Sequence, residues 1–121
     1  MLFERLKTTN SSVWLINTGW TGGKYGYGTR IPLVHTRAMI HAAINGMLSN
    51  IPIRKDKWFN LNIPETCPDV PSDLLLPETT WKSQLSYAQT ATDLIRKFSA
   101  NFEKYKNTVP DEVLKAGLFL H

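Results

Sequence analysis

Between Asn17 and Thr36 the chain gathers residue types that could hold an anion or a purine. Gly19, Gly22, Gly23, Gly26 and Gly28 place five of the seven glycines within ten residues. Glycine loses more conformational freedom on folding than any other residue. Such a cluster therefore answers a need for positive φ or for a close backbone approach. A loop that leaves a buried strand and leads through a second strand to a helix N-terminus is a common place for a phosphate or nucleotide. The spacing is not that of a standard phosphate loop. Gly-x-x-x-x-Gly-Lys-Ser/Thr would need glycine at Thr18 and serine or threonine at Tyr25, and Gly26-x-Gly28 meets Ile31 where a third glycine would stand. On pattern alone, a tight structural loop and a ligand loop are both open.

Arg30, Ile31 and Thr36 follow the loop. A guanidinium that stacks or donates, a branched apolar side chain that packs on a ring and a hydroxyl that bonds an edge nitrogen suit a purine. The same residues fit a structural role, with Arg30 on a carbonyl, Ile31 in the core and Thr36 as a helix N-cap. Other chemistry finds less support. His35 and His41 are six apart across a helix start and do not share a face as an i, i+4 pair would, and His121 is terminal, so no metal set is expected. Cys67 lies among prolines with no placed histidine base. The carboxylates are dispersed, and Arg54, Lys55 and Lys57 read as a solvated loop.

The elements that must position these residues can be read in order. Residues 1–8 have helical periodicity, with Leu2, Phe3 and Leu6 on one side. No cap precedes them, as at a natural N-terminus or at a cut inside a larger protein. Val13-Trp14-Leu15-Ile16 is apolar on both faces and predicts a strand buried on both sides. Arg30 to Val34, with Pro32, predicts an edge or strand end. A helix capped by Thr36 and reaching about Leu48 follows, with Met39, Ile40, Ala43, Ile44 and Met47 on one face and Arg37, His41 and Asn45 on the other. Five of the seven prolines fall in residues 52–80, where Phe59, Leu61 and Ile63 alternate with polar neighbours as in a half-buried strand. A long helix is expected over 83–106, its stripe made by Tyr87, Ala91, Leu94, Ile95, Phe98, Phe102 and Tyr105. A last turn at 111–115 precedes Gly117.

Composition narrows the function classes. With 121 residues, 42% apolar and 20% charged, the chain is one domain's worth or less and not a disordered segment. No run approaches the roughly 20 apolar residues of a membrane helix, and no signal peptide is expected. A single cysteine excludes an internal disulfide and fits a cytoplasmic location. The net charge of +4 is spread along the chain, and basic residues do not interleave with aromatics, so no nucleic-acid partner is expected.

Taken in order, the motifs resemble the C-terminal part of ATP-dependent phosphoenolpyruvate carboxykinases. They are Leu15-Ile16-Asn17-Thr18-Gly19-Trp20-Thr21-Gly22-Gly23, Tyr25-Gly26-x-Gly28-x-Arg30-Ile31, Thr36-Arg37-Ala38-Met39-Ile40 and Ala43-x-Asn45-Gly46. Phe59-x-Leu61-x-Ile63-Pro64, Cys67-Pro68-x-Val70-Pro71 and Asn101-Phe102-x-Lys104-Tyr105 follow, so nearly the whole chain is covered. The resemblance implies an α/β fold, a mixed sheet with helices packed on it, in which residues 1–121 are one incomplete unit of the nucleotide-binding domain. It implies the gluconeogenic reaction of oxaloacetate and ATP to phosphoenolpyruvate, ADP and carbon dioxide, with Mg²⁺ on the nucleotide and Mn²⁺ in the active site. Arg30, Ile31 and Thr36 stand where family members contact the nucleotide around its adenine.

Two positions depart from the family: Lys24 stands where many members have proline, and Thr29 where many have lysine. The phosphate loop, manganese ligands and oxaloacetate-binding residues of the family lie N-terminal to the part matched here. The chain alone is therefore expected to lack carboxykinase activity and to self-associate through surface that the rest of a domain would cover. A stand-alone, non-catalytic nucleotide- or protein-binding module is the alternative.

Overall fold

In the computed structural model, residues 2–24 and 26–118 are described, together with every side chain in that range except Leu2 and Phe3. The expected apolar contribution of Leu2 and Phe3, and the readings of Tyr25 and His121, lie outside the described residues. A short helix α1 (Leu2–Thr8) precedes the glycine loop, which is framed by β1 (Trp20–Thr21) and β2 (Thr29–Arg30). Helix α2 (Leu33–Ile44) follows, then the hairpin strands β3 (Ile53–Lys55) and β4 (Asn62–Pro64). A 3₁₀ turn (Ser72–Leu75), α3 (Pro77–Thr80), α4 (Gln84–Phe102) and α5 (Asp111–Lys115) complete the order. The α/β mixture is the expected one. Its strands form two antiparallel pairs, β1–β2 and β3–β4, where one mixed sheet had been expected.

The largest departure is at Val13 to Ile16. No strand forms there, Val13 and Trp14 are exposed, and Leu15 is 82% exposed. A strand needs a neighbour to take its N–H and C=O groups, and among the described residues none pairs with this segment.

Helix α2 begins three residues before Thr36. Pro32 is its N-cap, at φ −56°, and the Pro32 carbonyl accepts from His35 N at 3.0 Å and Thr36 N at 3.3 Å. Proline gives up no usable hydrogen bond at a helix start, where the N–H has no intrahelical partner. Thr36 is thus a buried residue of the first turn and not the cap. The helix ends at Ile44, short of Leu48, because Gly46 takes φ +69°. Gly46 N then reaches Ala43 O at 3.4 Å and Met47 N reaches Ala42 O at 3.0 Å, the paired bonds of a Schellman ending.

The expected apolar face of α2 is rotated. Ala42 is buried, and Ala38 and Met39 pack with it against Leu48, Cys67 and Val70. Leu33, Ile40, Ile44 and Met47 are exposed, Ile44 to 77%. Leu33, Ile40 and Ile44 lie on one side of the helix, so α2 carries a second apolar stripe that nothing described covers, and Met47 follows it beyond the Gly46 ending. Cys67 is buried in this core, and burial, reinforced by the Asp69 carboxylate, pushes its thiol pKa up.

The alternation over 59–63 produces a strand only from Asn62. Asp56 intervenes: its Oδ2 accepts from Trp58 N at 3.0 Å and Phe59 N at 2.6 Å, bending the chain into a turn. Asn60 takes φ +56° and donates its N–H to Asp56 O at 3.0 Å. The strand paired with β4 is β3, in the register Arg54↔Ile63, from a segment that read as a solvated loop.

Ser83 caps α4 by accepting from Ser86 N at 3.1 Å. Of the expected stripe, Tyr87, Ala91 and Ile95 are buried, whereas Leu94, Phe98 and Tyr105 are exposed. Ile95 is the most deeply enclosed large side chain, at 1% exposure. Ile95→Ala is therefore expected to lower unfolding free energy by about 2–4 kcal/mol. Leu85→Ala, at an exposed position of the same helix, should change it by less than about 0.5 kcal/mol, both read from urea denaturation.

Candidate functional site

Asn17 starts the glycine loop by folding its side chain back onto the chain. Its Oδ1 accepts from Gly19 N at 2.9 Å and its Nδ2 donates to Trp20 O at 3.0 Å. β1 and β2 then pair Trp20 with Arg30 and Thr21 with Thr29. Ile31 N extends the pairing by donating to Gly19 O at 2.8 Å. Between the strands, Tyr27 N and Gly28 N both donate to Lys24 O at 2.9 Å. Gly28 has no room for a side chain: a Cβ there would meet Gly23 O, and Thr21 O at 2.6 Å. Gly22, at φ +82°, would bring a Cβ to 2.7 Å from Thr80 O. Here glycine is required by close approach and by left-handed backbone together.

Lys24 and Thr29 sit in this loop without opening it. Lys24 Nζ lies 5.7 Å from the Tyr27 ring centroid, within cation–π range. Thr29 is the β2 residue paired with Thr21.

Behind the loop lies a cavity of about 310 Å³. Asn17, Trp20 to Lys24 and Ile31 form its loop side, Met39 comes from α2, and Leu74, Pro77, Trp81 and Thr90 form its far wall. Pro77, Trp81 and Thr90 also border a more apolar cavity of about 230 Å³ that reaches Phe59, Tyr87 and Leu94. Trp81 and Tyr87 meet edge to face with ring centroids 5.5 Å apart, so an aromatic wall stands between the loop and α4.

Arg54 fixes the segment that carries this wall. Its Nη2 donates to Leu75 O at 2.8 Å and its Nη1 lies 3.8 Å from Glu78 Oε1. Arg54 Nε and Glu78 Oε2 are buried without partners among the described residues. The reading of Arg54 as a solvated loop residue is corrected accordingly: its side chain is half-buried and structural.

Of the three residues singled out for a purine, Ile31 alone lines the cavity and is 5% exposed. Arg30 is exposed, as expected where consecutive strand residues point to opposite faces. Its guanidinium makes no hydrogen bond or ion pair among the described residues. Thr36 is 6% exposed, and its hydroxyl likewise makes no hydrogen bond among the described residues. His35 Nδ1, one residue earlier, is buried and unpartnered. The structural alternative for Arg30, a bonded carbonyl, is not observed. Thr21, Thr80, Trp81 and Arg54 escaped the sequence reading. Asn17 had a local signal, an Asn two residues before a loop glycine, which favours a side-chain turn.

A glycine loop between short strands, leading to a helix and backed by an aromatic wall, defines an α/β chain with a cavity behind its loop. Residues 1–73 match the family model described as phosphoenolpyruvate carboxykinase. A protein of Caldanaerobacter subterraneus named phosphoenolpyruvate carboxykinase (ATP) is 48% identical over 117 residues, 97% of this chain and 22% of that protein. Proteins with the same name from Flavobacterium johnsoniae and Thermus thermophilus are each 46% identical, over 94% and 97% of this chain and 21% and 22% of their own lengths. The chain belongs to the phosphoenolpyruvate carboxykinase family. It spans about a fifth of the length of the curated relatives it matches.

Tyr87 gives the wall behind the site a pH signature. Burial pushes its phenol up to about 12, helped by the nearby Asp56 and Glu78 carboxylates and opposed by Arg54. The folded state thus keeps this proton when the unfolded chain has lost it. Stability is expected to fall as pH rises from about 10 to about 12. Tyr87→Phe should remove that part of the fall in denaturation curves collected across the interval.

Proposed function

We propose that this chain supplies the adenine-side wall of an ATP-dependent phosphoenolpyruvate carboxykinase, with Arg30, Ile31 and Thr36 meeting the nucleotide. The observation that carries the reading is a combination of chemistry and vacancy of partners. Ile31 offers an apolar surface to the loop cavity, while the Arg30 guanidinium and the Thr36 hydroxyl, on either side of it in sequence, have no partner among the described residues. Buried polar groups in native proteins are almost always bonded, so His35 Nδ1, buried without a partner one residue before Thr36, fits a position completed by another group. An adenine ring offers both an apolar face and edge acceptors.

The remaining parts of the reaction belong, in this proposal, to the rest of a longer protein. Among the described residues no three His, Cys, Asp or Glu side chains come together as a metal set, so the chain's own residues do not fit Mg²⁺ or Mn²⁺. Phosphoryl transfer depends on metal and cationic groups placed around the phosphates. The outer stripe of α2 and the exposed segment 13–15 supply apolar surface on which such a remainder would pack. Oxaloacetate binding and the carboxy-lyase step lie with that remainder, in a cytoplasmic enzyme.

Two experiments test this. In a full-length carboxykinase carrying this segment, Thr36→Val should raise the KM for ATP by about threefold to tenfold and leave that for oxaloacetate nearly unchanged. An equal rise for both substrates would argue against adenine contact. The 121-residue chain by itself should show no metal-dependent turnover in a coupled assay of phosphoenolpyruvate formation. Turnover would overturn the division of labour and make the chain an enzyme in its own right.

A further inference from the structure

We propose that Thr80 is a positioning residue: its hydroxyl clasps the glycine loop to α3 and so sets where Arg30 and Ile31 stand. Its consequence for nucleotide binding rests on the function proposed above, whereas the clasp itself does not. Thr80 Oγ1 lies 2.8 Å from Thr21 Oγ1 and donates to Pro77 O, also at 2.8 Å. A hydroxyl has one proton, and a carbonyl can only accept. Thr80 therefore spends its proton on Pro77, and Thr21 must donate to Thr80. The proton order Thr21 to Thr80 to Pro77 is dictated by this geometry.

The contact joins residues 59 positions apart and is reinforced by backbone. Gly22 lies so close to the Thr80 carbonyl that a Cβ would stand 2.7 Å from it. Helix α3 has four residues, too few to be stable without tertiary support. Arg54 supports it from the side of the β3–β4 hairpin, through Leu75 O and Glu78, and the clasp supports it from the side of the loop.

On the loop side the path to the site is short. Thr21 pairs with Thr29, Trp20 pairs with Arg30, and Gly19 O holds Ile31 N. β1 and β2 have two residues each, so no longer ladder is present to hold the register if Thr21 moves. Thr80 is thus a residue through which the second half of the chain holds Arg30 and Ile31 in place.

Hydrogen exchange on the 121-residue chain tests the clasp. Thr80→Val should speed exchange of the Gly28 and Ile31 amides about fivefold or more while leaving residues 91–98 of α4 unchanged. Thr80→Ser, which keeps the hydroxyl, should restore slow exchange. Thr21→Val should match Thr80→Val, and the double variant should add little to either. Unchanged exchange in Thr80→Val, a serine variant as fast as the valine, additive single effects or equal acceleration throughout α4 would each overturn the proposal. In a full-length carboxykinase carrying this segment, Thr80→Val should raise the KM for ATP with kcat largely retained. A loosened loop with unchanged KM would keep the clasp and overturn the nucleotide reading beneath it.

Discussion

The absence of space for a Cβ at Gly28 is the constraint on which the first half of the chain depends. Carbonyl oxygens of Gly23 and Thr21 occupy the volume a side chain would need. Any larger residue would push the two arms of the loop apart and break the Trp20–Arg30 pairing. The physical content of the glycine-rich pattern here is steric: the glycines let backbone meet backbone. The loop's product is the placement of two side chains at its exit.

That placement divides the chain into a packed side and an exposed one. Behind the loop, Trp81, Tyr87 and Ile95 are packed, and Arg54 ties the wall to the hairpin. In front of it, Arg30 has no partner among the described residues and Leu15 stands in solvent. Helix α2 turns Ala38, Met39 and Ala42 toward the core and leaves Leu33, Ile40 and Ile44 facing outward. Larger apolar residues on the outside than on the inside are the reverse of a free-standing surface helix. Membership of a family whose matched relatives are about five times longer gives this inversion a direct physical reason.

How far the sequence disclosed all this depended on whether the deciding interaction was local. The long helix was legible because Ser83 and a 3- and 4-residue apolar spacing are both near-neighbour signals. The start of α2 was misplaced because threonine is a good cap by type, yet the Pro32 carbonyl already accepts from His35 N and Thr36 N and places Thr36 inside the first turn. The strand at 59–63 failed for a similar reason, since Asp56 captured two backbone N–H groups that alternation assigned to a ladder. Val13 to Ile16 failed differently. Its pattern is that of a buried strand, and what is missing is the neighbour. Arg30, Ile31 and Thr36 were found by type and by family pattern, but the separation of Arg30 and Ile31 onto opposite strand faces needed the structure. Thr80 carried no signal at all, because a hydroxyl pair bridging 59 residues leaves no trace in spacing.

The turn held by Asp56 also sets the entropic cost of closing the chain around it. It closes a hairpin whose paired ends, Ile53 and Pro64, are near in sequence, and loops of about ten residues close in roughly 10–100 ns. The Thr21–Thr80 contact spans 59 residues, and its closure costs about 1.5 kcal/mol more in chain entropy. The hairpin is therefore the cheaper of the two to close, and it presents Arg54 to α3. The glycine loop, unable to hold its own two-residue strands in isolation, docks onto that surface. The scaffold that presents Arg54 is local in sequence, whereas the loop's hold on it spans 59 residues.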